Sequence, residues 1–237
     1  MDAALEALLR QAGDYEVIIV DGGSTDQTCA LAMQFPVRVV CVKRGQPPGI
    51  GHQINLGAQA AQGNILLFLH ADVQLPTNGV ALIEAALANP DITGGGFVPA
   101  FRNIEPPSEH RLLKWVERMW QFRTRRFCWF AGDTAPFIRA DVFRQCGGYS
   151  TASFASDWDF AGQLRRLRRL VVIDQAVGVD CRRHIYNGVL KTLLVTGSVE
   201  FMYRIGVSRV FLRAWYRSWL PHERDLRKDN PRNPIYE

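Results

Sequence analysis

Three short apolar runs, each trailed by a stretch with helical spacing, constrain this chain more than any other feature. They are Glu16-Val17-Ile18-Ile19-Val20, Val37 to Val42 and Asn64 to Leu69. The runs are continuously apolar, as in strands covered on both faces by helices. The helical stretches fit that role. Leu5, Leu8 and Leu9 recur at helical spacing between Met1 and Gln11, and Ser24 or Thr25 can cap a helix running to about Gln34. Gln53 to Ala61 and Pro76 to about Asn89 supply two more. Strands alternating with helices in this order predict an α/β fold, a Rossmann-like, mostly parallel sheet flanked by helices.

After residue 90 the pattern changes. Gly94 to Phe101 reads as a strand with a permissive backbone, and Arg111 to Arg123 as an amphipathic helix carrying tryptophan. A strand at Ala135–Arg139, a helical turn at Asp141–Cys146, a helix at Asp157–Arg168 and a strand at Leu170–Ile173 follow. Val189 to Trp219 is expected to form one long or two shorter amphipathic helices. No repeat or linker interrupts the chain, so a catalytic-type domain over 1–180, a helical C-terminal extension over 181–220 and a polar tail over 221–237 are expected.

Composition narrows the function classes. The 237 residues carry 28 Lys and Arg against 23 Asp and Glu. That modest excess suits an anionic ligand such as a diphosphate, or an anionic membrane surface, and does not imply nucleic acid. The five cysteines are scattered and form no C-x-x-C pair, which points away from a disulfide framework or zinc site and towards a reducing cytosol. No signal peptide is visible. The apolar stretch from Gly188 to Leu212 is interrupted by Lys191, Glu200, Arg204 and Arg209, which argues against a membrane span. A peripheral contact at the inner membrane face is the alternative for the basic, aromatic C-terminal region with Lys191, Arg204, Arg209, Arg213, Trp215, Arg217 and Trp219.

In open α/β sheets ligands bind beyond the carboxyl ends of the strands, and two acids stand at such ends: Asp21 and Asp72. The residues around them carry a family resemblance. Val20-Asp21-Gly22-Gly23-Ser24-Thr25-Asp26-Gln27-Thr28, then Asn55-Leu56-Gly57, then Gly63-Asn64-Ile65-Leu66-Leu67-Phe68-Leu69-His70-Ala71-Asp72, resemble in order and spacing the opening motifs of family-2 glycosyltransferases. The Phe-Leu-His-Ala-Asp form is similar to a bacterial subgroup of that family associated with radical-SAM and selenoprotein-type gene clusters. Gly132-Asp133-Thr134 and Gly147-Gly148-Tyr149 extend the resemblance along the chain.

The resemblance implies a GT-A fold and transfer of a sugar from a UDP- or GDP-sugar to an acceptor hydroxyl, inverting and dependent on Mg2+ or Mn2+. By resemblance the donor side comprises Asp21, Gly22, Gly23, Ser24, Gln53, Asn55, His70 and Asp72. Asp72 is the expected metal ligand, because a cation held by a carboxylate offsets charge on a departing diphosphate. Asp157 is the candidate base and Asp159 its alternative, with helix capping as the plain reading of both. Asp133 and Trp158 are placed on the acceptor side, and Arg182 and Arg183 could meet phosphate.

Three departures accompany the match. Ser156 replaces the subgroup's usual Glu, and Ile50 its usual Arg. The family's opening strand precedes the helix with which this sequence begins, and without that strand its neighbour is expected to have an unpaired edge. These departures keep open a second reading, a non-catalytic nucleotide-sugar-binding protein of the same fold.

Overall fold

The three apolar runs form strands, but they do not all join one sheet. The computed structural model describes residues 2–43, 49–102, 110–152, 154–167 and 169–220. The expected tail from Pro221, and most of the glycine- and proline-rich loop after Arg44, lie outside these. Helix α1 (Asp2–Leu9) precedes β1 (Ile18–Asp21), α2 (Thr28–Ala32), β2 (Arg38–Cys41), α3 (Ile50–Ala60) and β3 (Ile65–Leu67). A short β4 (Val73–Gln74), α4 (Gly79–Leu87), β5 (Gly94–Arg102), α5 (His110–Phe127), β6 (Phe137–Arg139), α6 (Ala140–Gln145), α7 (Ser156–Leu167) and β7 (Leu170–Asp180) follow. Helices α8 (Arg182–Asn187), α9 (Val189–Arg204) and α10 (Arg209–Trp219) complete the described chain.

Strands β1 and β2 pair in parallel as a two-stranded sheet, and the other five form a second sheet in the order β3-β6-β5-β7-β4. The edge of β1 away from β2 pairs with no strand among the described residues. In the larger sheet β5 and β7 run parallel, while β3–β6, β5–β6 and β4–β7 are antiparallel. The fold class is as read from the sequence, but the sheet is mixed rather than mostly parallel. The α/β alternation that imposes parallel pairing stops after α4, so strand direction beyond it is set by the turns. The expected cap of α2 also differs. Gln27 occupies the N-cap, Asp26 accepts from Thr28 N at 3.0 Å, and Ser24 N donates back to Asp21 instead.

Gly94, Gly95 and Gly96 explain the crowded start of β5. A Cβ on these residues would run into Phe137 O, Val171 O and the Phe130 ring respectively, so only glycine lets the neighbouring strands and Phe130 close in. Adjacent residues of β6 then face opposite ways. Phe137 enters a core with Phe97, Phe101, Leu113 and Val177, and Ile138 enters another with Phe68, Phe130, Phe143 and Phe160. A third cluster, built on Val199, Leu212 and Leu220, joins α9 and α10 to Trp158 and Phe154. These helices are therefore packed onto the start of α7.

Candidate active site

The turn after β1 is organised by Asp21. Its Oδ2 accepts from Gly23 N and Ser24 N, both at 2.9 Å, at the carboxyl end of the strand. Burial alone would raise this carboxyl, but hydrogen bonds from Ser24, Gly23 and Cys29 leave it below the usual aspartate range, hence ionised. Gln53, from the first turn of α3, lies against Gly22, where a Cβ would overlap its amide. Asp21, Gly22, Gly23, Ser24 and Gln53 thus come together as expected. The cysteines add something the sequence does not suggest: ligand atoms of Asp21, Cys29 and Cys41 lie within 4.8 Å of one another. Burial, and then the Asp21 charge, push the Cys29 thiol up to about 11.

The first turn of α3 also touches a second group of residues. Gly51 packs against Ser150 O and the Ser156 side chain, just ahead of Asp157. Asp157 lies close enough to Asp133 that its charge disfavours ionisation of the Asp133 carboxyl. The His70 ring rests on Gly132, where any Cβ would overlap it. Burial raises the Asp133 carboxyl. Arg123 opposes that shift, Asp157 reinforces it, and His70 opposes it weakly. Three atoms in this group are buried with no hydrogen-bond partner among the described residues, His70 Nε2, Asp133 Oδ1 and Arg123 Nε. Such orphans are rare in folded chains and point to a missing ligand, ion or water. Left-handed backbone at Ala135 (φ 45°) and Ala155 (φ 58°) sets the exits and entries of these segments. Strain of this kind, about 1–3 kcal/mol each, concentrates at functional sites.

Asp72 sits half-buried in the turn between β3 and β4, two residues beyond His70. Its backbone carbonyl accepts from Asp180 N at 3.2 Å, while its carboxylate makes no hydrogen bond or ion pair among the described residues. The Asp157 carboxylate is likewise without a hydrogen-bond partner there. Both carboxylates are open to a ligand.

Other expected site residues are committed elsewhere. Asp159 Oδ1 accepts from Tyr203 Oη at 2.6 Å and from Arg209 at 2.7 Å, which ties α7 to the C-terminal helices, while its Oδ2 is buried without a partner among the described residues. Trp158 meets Tyr203 edge-on at 5.3 Å within the third core cluster, not an acceptor pocket. Asn55 donates to Tyr149 O at 2.8 Å and accepts from Tyr149 N at 2.9 Å, so it braces α3 rather than facing a donor. Arg182 bonds Asp180 and Arg183 bonds Tyr216, at 2.9 and 3.1 Å. Sequence reasoning misses Arg123; nothing in its local spacing marks it, because it reaches the site through the α5–β5 packing, whereas Gly132 is read only as part of the Gly132-Asp133-Thr134 motif.

Comparison with known proteins agrees with this architecture. Residues 1–144 match the model of Glycosyl transferase family 2. A Mycobacterium tuberculosis protein named PGL/p-HBAD biosynthesis glycosyltransferase is 38% identical over 169 residues, 68% of this chain and 62% of its own length. The chain therefore spans less than two thirds of that relative. A dolichol-phosphate mannosyltransferase of Pyrococcus furiosus is 31% identical over 100 residues, covering 40% of this chain and 26% of that one. Among solved structures, S. aureus TarS 1-349 in complex with UDP-GlcNAc superposes with a TM-score of 0.60 at 18% identity, over 76% of this chain and 54% of that chain. Mannosyltransferase PcManGT from Pyrobaculum calidifontis, in complex with GDP-Man and Mn2+, gives 0.58 at 17% identity, over 86% and 59%. The structural likenesses show the GT-A fold, and with the sequence match they establish that this chain belongs to glycosyl transferase family 2.

Proposed function

We propose that the chain transfers a glycosyl group from a UDP- or GDP-sugar to an acceptor hydroxyl, with inversion at the anomeric carbon. The observation that carries this reading is the position of the first turn of α3. It touches the Asp21 loop through Gln53 and the start of α7 through Gly51, so an ionised carboxylate suited to a nucleoside and an unpaired carboxylate suited to a base flank one segment. The nucleotide sugars held by TarS and PcManGT support the donor class.

The chain's own residues supply most of the chemistry. Asp21 accepts hydrogen bonds from the nucleoside, and Gly22 and Gly23 let the backbone approach it. Asp157 takes the proton from the acceptor hydroxyl as its oxygen bonds the anomeric carbon, on the face opposite the departing diphosphate. Arg123 moderates the negative charge of the Asp133–Asp157 pair. A divalent cation, Mg2+ or Mn2+, fits the remaining donor set: a carboxylate with no partner at Asp72, and a buried imidazole nitrogen with none at His70. When bound there, it would offset charge on the diphosphate leaving group.

The test is a melting-temperature panel of UDP- and GDP-sugars with Mn2+. One donor is expected to raise the melting temperature, and Asp72→Ala to remove that rise. Asp157→Asn is expected to keep the shift but lose transfer. The absence of any shift across the panel would sink the proposal.

A further inference from the structure

Helix α5 has two apolar faces, and only one is covered. Leu113, Val116 and Trp120 pack inward against β5, where Trp120 lies 5.2 Å from Phe101, and Gln121 Nε2 donates to Pro99 O at 3.0 Å. The other face is open: Trp115 is 56%, Met119 41% and Phe122 63% exposed. Outward positions of a surface helix are normally polar. Here they alternate between large apolar groups and arginines, with Arg111, Arg118, Arg125 and Arg126 exposed along the same stripe. At 18 residues the helix offers a strip about 27 Å long.

The helix's own exposed charges are of one sign, and of its arginines Arg125 is paired with the exposed Asp174 of β7 at 2.7 Å. The only acid of α5, Glu117, is buried and accepts from Phe101 N at 2.7 Å and Lys114 Nζ at 3.0 Å. Arg111, Arg118 and Arg126 have no ion-pair partner among the described residues. Helix α9 is held beside α5 by Arg123–Glu200 at 3.5 Å, and it exposes Leu190, Leu194 and Phe201 by more than 60% each. Of the C-terminal residues read from the sequence as a membrane face, Lys191, Arg217 and Trp219 are exposed, but others are engaged within the fold. Arg209 is bound to Asp159, and Trp215 Nε1 donates to Ser198 at 3.1 Å.

We propose that the outward face of α5 docks onto an anionic lipid bilayer. Charge complementarity selects this occupant. Trp115 and Phe122 suit the boundary between headgroups and acyl chains, and the arginines between them can extend to lipid phosphates. A second copy of the chain seated face to face would set arginine against arginine.

The experiment is co-sedimentation of the full chain with vesicles of one part phosphatidylglycerol to three parts phosphatidylcholine, against phosphatidylcholine alone. The chain is expected to sediment with the anionic vesicles only, and to be released by salt. Arg118→Gln and Arg126→Gln are each expected to weaken partitioning about fivefold, because one basic residue contributes about that factor near an anionic surface. Trp115→Gln with Phe122→Gln is expected to abolish sedimentation without changing the melting temperature. Met33→Gln, at an exposed methionine on another element, serves as the matched control and is expected to sediment like the parent. Equal sedimentation of the parent and the α5 variants, or none by the parent, overturns the proposal. So does a dimer that the aromatic double variant dissociates while no vesicle binding occurs, which assigns the face to a second copy.

Discussion

Replacing His184 with leucine is expected to make the fold less sensitive to acid, and the size of the effect follows from its surroundings. His184 lies on α8 with 7% of its surface exposed, its ring 5.0 Å from Phe101 and 5.4 Å from Trp120, and its Nδ1 buried without a partner. Burial, and then the Arg183 charge, lower its pKa from 6.5 to about 4. The folded chain therefore holds it neutral where the unfolded chain would protonate it. Stability is unaffected above pH 6.5, declines as pH falls towards about 4, and levels off below that. At about 1.36 kcal/mol for each tenfold change in proton affinity, the full loss is about 3 kcal/mol, and about 1 kcal/mol is already lost near pH 5.5. For a chain of this size that corresponds to roughly 2–4 °C in melting temperature. The assay is a series of melting curves from about pH 7.5 to 5.5 for the parent and His184→Leu. Comparing slopes cancels the packing change and the carboxylates common to both proteins. Parallel slopes would show that His184 titrates as an ordinary exposed histidine, and would refute the claim that it is sealed between β5 and α5.

Three further outcomes are expected. Arg209→Met should lower the urea midpoint by the equivalent of about 1.5 kcal/mol, because it strips Asp159 and the Phe154 carbonyl of a shared guanidinium that is itself partly exposed; Arg209→Lys should not restore the loss, since an ammonium cannot reproduce the fork. Asn55→Ala should cost about 2 kcal/mol in chemical denaturation by leaving both backbone groups of Tyr149 unpaired, and a neutral result would mean water replaces the amide. Gly132→Ala should displace the His70 ring, cost about 1–3 kcal/mol and suppress the donor-induced melting shift; an unchanged shift would detach His70 from the donor site.

Much of the frame is legible in the amino-acid sequence. Continuous apolar runs locate β1, β2 and β3, although β1 and β2 are only partly buried and Arg38 and Cys41 of β2 are exposed, so the covering on both faces that such runs predict is not complete. The Asp21 turn and the Phe68-to-Asp72 segment are legible because strand ends carry their chemistry within a few consecutive residues. Pairing is not legible in the same way. β4 is two residues long, and β7 runs on to Asp180 well past the apolar stretch ending at Ile173, since its later residues are held by hydrogen bonds to β5 and β4 and not by composition.

The division between sequence and tertiary structure is clearest among the acids. Sequence alone nominates Asp21, Asp72, Asp133, Asp157 and Asp159 from motif and position. It ranks Asp157 ahead of Asp159 by resemblance alone, because both lie in the first turn of one helix with the same local environment. Only the packing of α10 distinguishes them: Arg209 arrives from fifty residues away and binds Asp159, and Asp157 is left facing Asp133. Local chemistry follows from neighbouring residues, whereas a side chain's partner depends on which distant segment folds over it, and that is decided by the tertiary structure.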